Sequence, residues 1–337
     1  MFKLAKPFMF RTISSLHAGS GNDLGIVDLP IQREKHTSFP KVESSSLKGA
    51  LREAFETKII SDKENFLKKI TNYNTLENFQ NNKILNYDYS IHLAFGFDES
   101  GANDEINKEF SDDKEFSGAL GFSDARLLFF PVRSAKGVFA WITCPFVLSR
   151  FQEEMKMCGL SLNFKIPNVD IGKCSTNKGN KVSISNESVV LEEYTFDETQ
   201  DLKLENLFSE LPELKEKLVV LSDDDFKDFV NHSTEVITRT KIDNATGTVA
   251  KGALFNEEYL PPETIMYFLV FASPIFQKDD KKKGFFKQNG KNEEELVMEF
   301  FEQSLPEVVQ IGGNATIGKG IVKMNPINLQ QKSNGGK

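Results

Sequence analysis

The stretch that decides the reading of this chain runs from His17 to Phe55: HAGSGNDLGIVDLPIQREKHTSFPKVESSSLKGALREAF. It reads as the end of a strand, a glycine loop, a polar loop and then a helix. Gly19, Gly21 and Gly25 surround small polar residues. With no Cβ in the way, the backbone N–H groups of such a loop can approach a phosphate closely. Asp28 lies inside the loop between Val27 and Leu29, with Pro30 following. Ser44, Ser45 and Ser46 then open a helix that carries Lys48 and Arg52, four residues apart and therefore on one side of it. A serine-capped helix start with two cations a turn apart is a ready anion site. One segment thus offers two phosphate-binding devices with a carboxylate between them, which points to work on a phosphodiester chain.

Working outward, Lys6 to Ile13 alternates as a strand, and Ser45 to Lys58 predicts a helix with Leu47, Leu51 and Phe55 on its apolar face. Residues 97–123, rich in Gly, Asp, Ser and Glu, predict a mobile loop. Ala125 to Val132 and Val138 to Ile142 are apolar strands, followed by a helix to Met157 that Thr143 can cap. Residues 200–232 read as helical, with Ser222 as a cap before three aspartates. Residues 236–242 and 248–253 form a hairpin around Asn244–Gly247; 264–272 is a buried strand, 292–304 a helix, and 321–324 the last strand. Strand, helix, two strands, helix, strand with long insertions fits an α+β chain.

A chain of 337 residues can bury a substantial core. No apolar run reaches the length of a membrane span, and the opening MFKLAKPFMF lacks a small-residue cleavage site, so it reads as the first strand. Cys144, Cys158 and Cys174 are odd in number and show no CxxC spacing, which argues against zinc and disulfides and fits a reducing cytoplasm. The net charge of −8, taken as a total, opposes nucleic-acid binding, but residues 187–228 alone hold 14 Asp and Glu against 4 Lys and Arg. Residues 119–186 hold 9 bases against 4 acids, and residues 1–60 hold 9 against 6. Cations are concentrated in the motif-bearing parts, and nucleic-acid binding follows local potential rather than total charge.

Four blocks, HAGSG with VDLPIQREKHTSFP (17–21 and 27–40), SSLKGALR (45–52), DARLLFFPVRSAKGVFAWITCPFVLSRF (124–151) and KGALFNEEYLPPETIMYFLV (251–270), together with IGGNATIGKGIVKM (311–324), resemble the signature of the backbone subunit of type III-B CRISPR effector complexes, the Cmr complex, within the RAMP superfamily. The VDLPIQRE and DARLLFFPVRSAKGVFAW blocks favour type III-B over the related type III-A subunit. SSS at 44–46 departs from the proline-glycine turn common there, a change of loop shape. The resemblance implies one RAMP domain over 1–337, with an elaborated ferredoxin-like, RNA-recognition-like palm, a fingers insertion over 59–123 and a β-hairpin thumb over 236–254. It also implies guide RNA, single-stranded target RNA and other Cmr subunits as partners, and self-association into a filament by non-closing, head-to-tail contacts.

Asp28, taken alone, is more often a turn residue bonded to local backbone. The resemblance matches it to the family's cleavage aspartate, which can hold a divalent metal (Mg or Mn) or accept a proton from the RNA 2′-OH. His17 either fixes the glycine loop or serves as a secondary acid, base or phosphate contact, and Asp23 is a second candidate ligand. Arg33 and Glu34 can pair at a subunit interface, and His36 reads as structural. Ser45, Ser46, Lys48 and Arg52 match the block that contacts guide-RNA backbone; a solvated cationic face is the competing reading. Arg126, Arg133 and Lys136 flank the third block's strands, whose Phe130, Phe139 and Trp141 read as core. The resemblance assigns Gly312, Gly313, Gly318 and Lys319 to a glycine loop on the RNA backbone, and Ile237, Arg239, Ile242 and Val249 to the thumb stem. Gly313-x4-Gly318-Lys319 has the form of a nucleotide-binding P-loop, but Gly320 stands where Mg²⁺ needs Ser or Thr, so the ATPase reading fails. Two rivals remain at this level: a standalone guide-processing RAMP endonuclease with a histidine acid–base pair, and a non-catalytic RNA-binding scaffold.

Overall fold

The structure, a computed structural model, describes residues 2–21, 27–58, 83–111, 115–162, 164–184, 187–199, 202–204, 212–287 and 290–327. The strands are β1 (Leu4–Thr12), β2 (Lys41–Val42), β3 (Gly96–Asp98), β4 (Glu115–Ser117), β5 (Leu120–Phe122), β6 (Ala125–Arg133), β7 (Phe139–Thr143) and β8 (Lys173–Thr176). They continue with β9 (Ser188–Leu191), β10 (Tyr194–Thr199), β11 (Leu218–Leu221), β12 (Glu235–Ile242), β13 (Val249–Tyr259), β14 (Ile265–Ala272), β15 (Val308–Gln310) and β16 (Ile321–Pro326). The helices are α1 (Ser44–Glu56), α2 (Lys83–Phe95), α3 (Asp104–Glu109), α4 (Pro145–Met157), α5 (Pro212–Lys217), α6 (Asp223–His232) and α7 (Glu293–Ser304). The chain divides into two compact units: Met1–Phe8, Ser44–Asp124 and Phe268–Val309 form the first, and Met9–Glu43, Ala125–Tyr267 and Gln310–Lys337 the second.

The first unit is built on aromatic packing between helices. Leu47, Leu51 and Phe55 recur every fourth residue along α1 and are fully buried. The Phe55 ring meets Phe95 of α2 at 5.1 Å and stacks on Phe301 of α7 at 5.7 Å. α7 starts on a capping box formed by Asn292 and Glu295. Residues 97–123, predicted as a mobile loop, instead hold β3 paired with β4, helix α3, and β5 paired with Val270–Ala272 of β14. The reason is a phenylalanine cluster hidden among the acids: Phe110 lies 4.6 Å from Phe97 and 5.1 Å from Phe116, and stacks on Tyr89 at 4.3 Å. Gly118 lets this hairpin cross the end of α2, since any Cβ there would overlap the Phe95 backbone.

The second unit is a large mixed sheet in the order β16–β1–β14–β6–β7–β11–β8–β10–β9, with β2 paired to the start of β6. β11 runs parallel to β7 and β10 parallel to β8, while β6 and β7 are antiparallel. Leu127, Leu128, Phe129 and Phe130 of β6 are all fully buried, so this strand is covered on both faces. α4 buries Val147, Leu148, Phe151 and Met155. Its N-cap is Cys144 rather than Thr143, because β7 continues through Thr143; Asp223 Oδ1 accepts from the Phe146 N–H at 2.9 Å and serves the helix start instead. The helix read over 200–232 is interrupted: Leu218–Leu221 is a fully buried strand between α5 and α6, its β-branched centre suited to an interior strand, parallel to β7 and antiparallel to β8. Ser222 does cap α6, accepting from Asp225 N–H at 3.1 Å. β12 and β13 form the predicted hairpin, and Asp243 Oδ1 accepts from Ala245 N–H at its tip. Val236, Ile242, Val249 and Leu254 are exposed along it.

Burial of the three cysteines generates a simple test. Burial pushes the Cys144 thiol up, the Cys174 thiol to about 12 and the half-buried Cys158 thiol to about 11. Iodoacetamide at pH 8 should leave all three unmodified in the folded chain, with Cys158 the first to react as pH rises. Rapid native-state labelling of Cys144 or Cys174 in a mass-spectrometric time course would contradict this packing.

Candidate functional site

In the second unit, Asp28 is tied to the far end of β13. Leu29 N–H donates to Asn256 O at 3.0 Å and Glu258 N–H donates to Leu29 O at 3.0 Å, a short parallel pairing. Asp28 is exposed, and its Oδ2 accepts from Asn256 N–H at 2.7 Å. That bond fixes one carboxylate oxygen and leaves the other without a partner among the described residues. Asp23 and Gly25 lie outside the described residues.

What holds this pairing is Glu258, only 5 % exposed. Its carboxylate accepts from Arg33 at 2.6 Å, from Ile31 N–H at 3.0 Å and from Thr234 Oγ1 at 2.8 Å. Arg33 donates further to Ser38 O, Val230 O and Asn231 Oδ1. A buried carboxylate needs such partners to remain charged. Arg33 and Glu34 do not pair with one another: Glu34 is buried and accepts from Arg150 at 2.7 Å and from Thr37. Their side chains have different partners within the chain.

On the neighbouring residue, Glu257, a second network closes. The Glu258 carbonyl can only accept, so His17 Nδ1 carries the proton and donates to it at 2.7 Å. His17 Nε2 lies 3.6 Å from Glu257 Oε1. Glu257 also accepts from Asn314 at 2.6 Å, from the Tyr259 hydroxyl, and from Arg239 Nε at 3.3 Å. Burial pushes the Glu257 carboxyl upward, but the Tyr259 and Asn314 hydrogen bonds and the His17 and Arg239 charges outweigh it, and the net shift is downward. Lys319 Nζ sits 4.9 Å above the Tyr259 ring and donates to Ser15 Oγ. The glycine loop wraps this network: Gly313 N–H donates to His17 O at 2.9 Å, and a Cβ at Gly312 (φ 79°) would overlap that same oxygen. Gly318 is exposed.

The structure therefore brings His17, Arg239, Gly312, Gly313 and Lys319 together and places Asp28 on the same strand end. Arg126 and Arg133 lie at opposite ends of β6, the former paired with Glu154, the latter with Glu192 at 3.1 Å. Lys136 donates to Ser183 O at 2.6 Å. Phe130 and Trp141 are buried core, while Phe139 is half-buried with Lys217 above its ring. Sequence reading gave no role to Glu257, Glu258, Tyr259 or Asn314. The signal was there in FNEEYL, where two carboxylates interrupt a strand that ends in buried residues.

In the first unit, Ser44, Ser45, Lys48 and Arg52 of α1 line a cleft of about 590 Å³ with Gly96, Asp98 and several phenylalanines. Ser46 stands on the same turn. Arg52 donates to Glu56 at 2.7 Å and to Gly96 O at 3.1 Å. Lys48 has no hydrogen bond or ion pair among the described residues; burial, then the nearby Arg52 charge, lowers its pKa. No group of three or more His, Cys, Asp or Glu side chains that could hold a metal ion occurs among the described residues. The free, exposed oxygen of Asp28 is a hard donor that fits Mg²⁺ or Mn²⁺ only in company with ligands other than the described His, Cys, Asp and Glu side chains.

Residues 9–323 match the RAMP superfamily. The chain is 33 % identical to the CRISPR system Cmr endoribonuclease Cmr4 of Pyrococcus furiosus, an alignment covering 96 % of this chain and 95 % of the relative. It is 24 % identical to the CMR subunit Cmr4 of Saccharolobus solfataricus, over 97 % and 98 % of the two chains. The crystal structure of oligomeric Cmr4 from Pyrococcus furiosus superposes with a TM-score of 0.58 at 27 % identity, covering 96 % of this chain and 99 % of that one. The chain belongs to the RAMP superfamily and, within it, to the family of the Cmr4 proteins.

The Glu258 network predicts a large stability effect. Glu258→Ala should cost about 3 kcal/mol by urea unfolding, because it strands the Arg33 guanidinium and the Ile31 N–H. Glu258→Gln, which keeps an acceptor oxygen, should cost clearly less. A loss below about 1 kcal/mol for the alanine variant would show that the pair behaves as a surface pair.

Proposed function

We propose that this chain is the repeated, RNA-cleaving backbone subunit of a type III-B CRISPR complex, which holds guide RNA and cuts the target RNA paired to it in the cytoplasm. The Pyrococcus furiosus relative is named an endoribonuclease, and its solved form is described as oligomeric. The observation that carries the reading is Asp28: an exposed carboxylate, anchored through one oxygen to Asn256 N–H, with its other oxygen open. In this reading the second unit's sheet is the palm, residues 59–123 contribute to the fingers, and 236–254 are the thumb.

RNA supplies its own nucleophile. The 2′ oxygen attacks the adjacent phosphorus in line, its proton passes to the open oxygen of Asp28, and the P–O5′ bond breaks; the 5′ oxygen takes a proton from water, leaving a 2′,3′-cyclic phosphate and a 5′ hydroxyl. In the alternative role of that same oxygen, Asp28 together with RNA phosphate oxygens would hold a divalent cation that, when bound, neutralises charge developing on the phosphate. His17, buried and committed through Nδ1 to the Glu258 carbonyl, acts by fixing the loop around Asp28. The exposed Ile242 and Val249, with Ile237 further down the stem, pack on bases and open the duplex beside Asp28. Ser45, Ser46, Lys48, Arg52, Arg126, Arg133, Lys136, Lys319 and the glycine loop at Gly312, Gly313 and Gly318 meet phosphates, so specificity comes from guide pairing. Other Cmr subunits complete the complex, and head-to-tail copies of this chain repeat the cut at a fixed interval.

Asp28→Ala should lower the cleavage rate of labelled target RNA by a reconstituted complex at least about 100-fold while leaving target affinity unchanged. Cleavage at the wild-type rate would remove Asp28 from the reaction.

A further inference from the structure

The cleft in the first unit has a feature that phosphate binding does not use. Phe2 lies at its mouth and is 49 % exposed, although it is a large apolar residue. It is not loose: Lys3 N–H donates to Ala272 O at 2.9 Å and pins this end of the chain against β14. The ring packs against Phe271, with centroids 5.4 Å apart, and rests on Gly121, where any Cβ would overlap it. The ring is therefore backed by protein and seated in a notch that only glycine leaves, while about half of its surface faces solvent. The same cleft carries Lys48, which has no partner among the described residues.

We propose that Phe2 is a stacking platform for one base of the single-stranded RNA whose phosphate Lys48 holds. A backed aromatic face in one cleft with a cation that has no partner among the described residues matches the two parts of a nucleotide: the planar base gains stacking and the phosphate gains a charge partner. Burial strips water from the Lys48 ammonium, and a phosphate oxygen replaces what burial removes. Stacking accepts any base, so the platform adds affinity without adding sequence preference. This inference rests on the reading of the α1 cleft as a guide-RNA contact.

The test uses the full chain and fluorescence anisotropy with a labelled oligouridylate and the same oligomer carrying abasic sites. Phe2→Ala should weaken binding of the intact oligomer about 5- to 30-fold and leave the abasic oligomer unaffected. Gly121→Ala, which displaces the ring while keeping it, should reproduce most of that loss. Phe2→Trp should retain affinity, and its emission should be quenched by the intact oligomer only. Lys48→Ala serves as the contrast: it should flatten the salt dependence by about 0.7 in slope, which Phe2→Ala should not do. If Phe2→Ala binds both oligomers like wild type while Lys48→Ala loses affinity, the platform is wrong and the phosphate contact stands. If the wild-type chain binds neither oligomer, the reading of the cleft fails and the platform with it.

Discussion

The buried carboxylate of Glu258 is the constraint on which the arrangement depends. It draws three separate segments to one point: the loop segment carrying Ile31 and Arg33, the end of α6 reached through Arg33, and the base of the hairpin at Thr234. Its backbone continues the task, with N–H to Leu29 and C=O to His17. Two sequence positions away, Asn256 fixes Asp28. In the proposed reaction a freely moving aspartate would lose much of its effectiveness to misplacement, since catalytic groups act only within narrow geometric limits. Here Leu29 makes a parallel bridge to Glu257 of the hairpin, and Asn256 N–H holds one oxygen of the carboxylate beside it.

Glu257 and Glu258 illustrate how alternation on a strand divides labour. Adjacent side chains point to opposite faces. One face binds Arg33 and the Asp28 segment; the other meets Tyr259, Asn314, Arg239 and His17. The glycine loop at 311–320 belongs to the second face. Gly312 and Gly320 are required by close approach to His17 and to the loop's own Ile311 carbonyl, and Gly318 by its left-handed φ of 75°, structural needs that exist with or without a ligand.

Elements with a strong apolar period were legible in the sequence: α1, α4, α6 and α7, and the strands β1, β6, β7 and β14. β11 was not, because four apolar residues between charged helical stretches carry no period that separates strand from helix. β3, β4 and β5 were hidden by their acidic surroundings; the rings of Phe97, Phe110 and Phe116 supply the core that composition obscured. The hairpin could be read from the chain alone, and Asp28 and His17 were singled out there as candidates with the help of family resemblance. The network joining residues 17, 239, 257 and 314 could not, because only the fold makes those positions neighbours. Lys48 and Arg52 were named from one helix turn, yet they differ: Arg52 is bound to Glu56 and Gly96, while Lys48 is not.

The central claim is that the hairpin and Asp28 work as one device, with the hairpin opening the duplex and the carboxylate cutting beside the opening. The direct measurement is nucleotide-resolution mapping of target cleavage by a complex in which residues 240–250 are replaced by a short Gly-Ser link. That change removes the tip with Ile242 and Val249 and leaves Asn256, Glu257 and Glu258 in place. The account predicts retained folding and guide binding, with cleavage lost or scattered along the target. Cuts at the wild-type positions and spacing would contradict it.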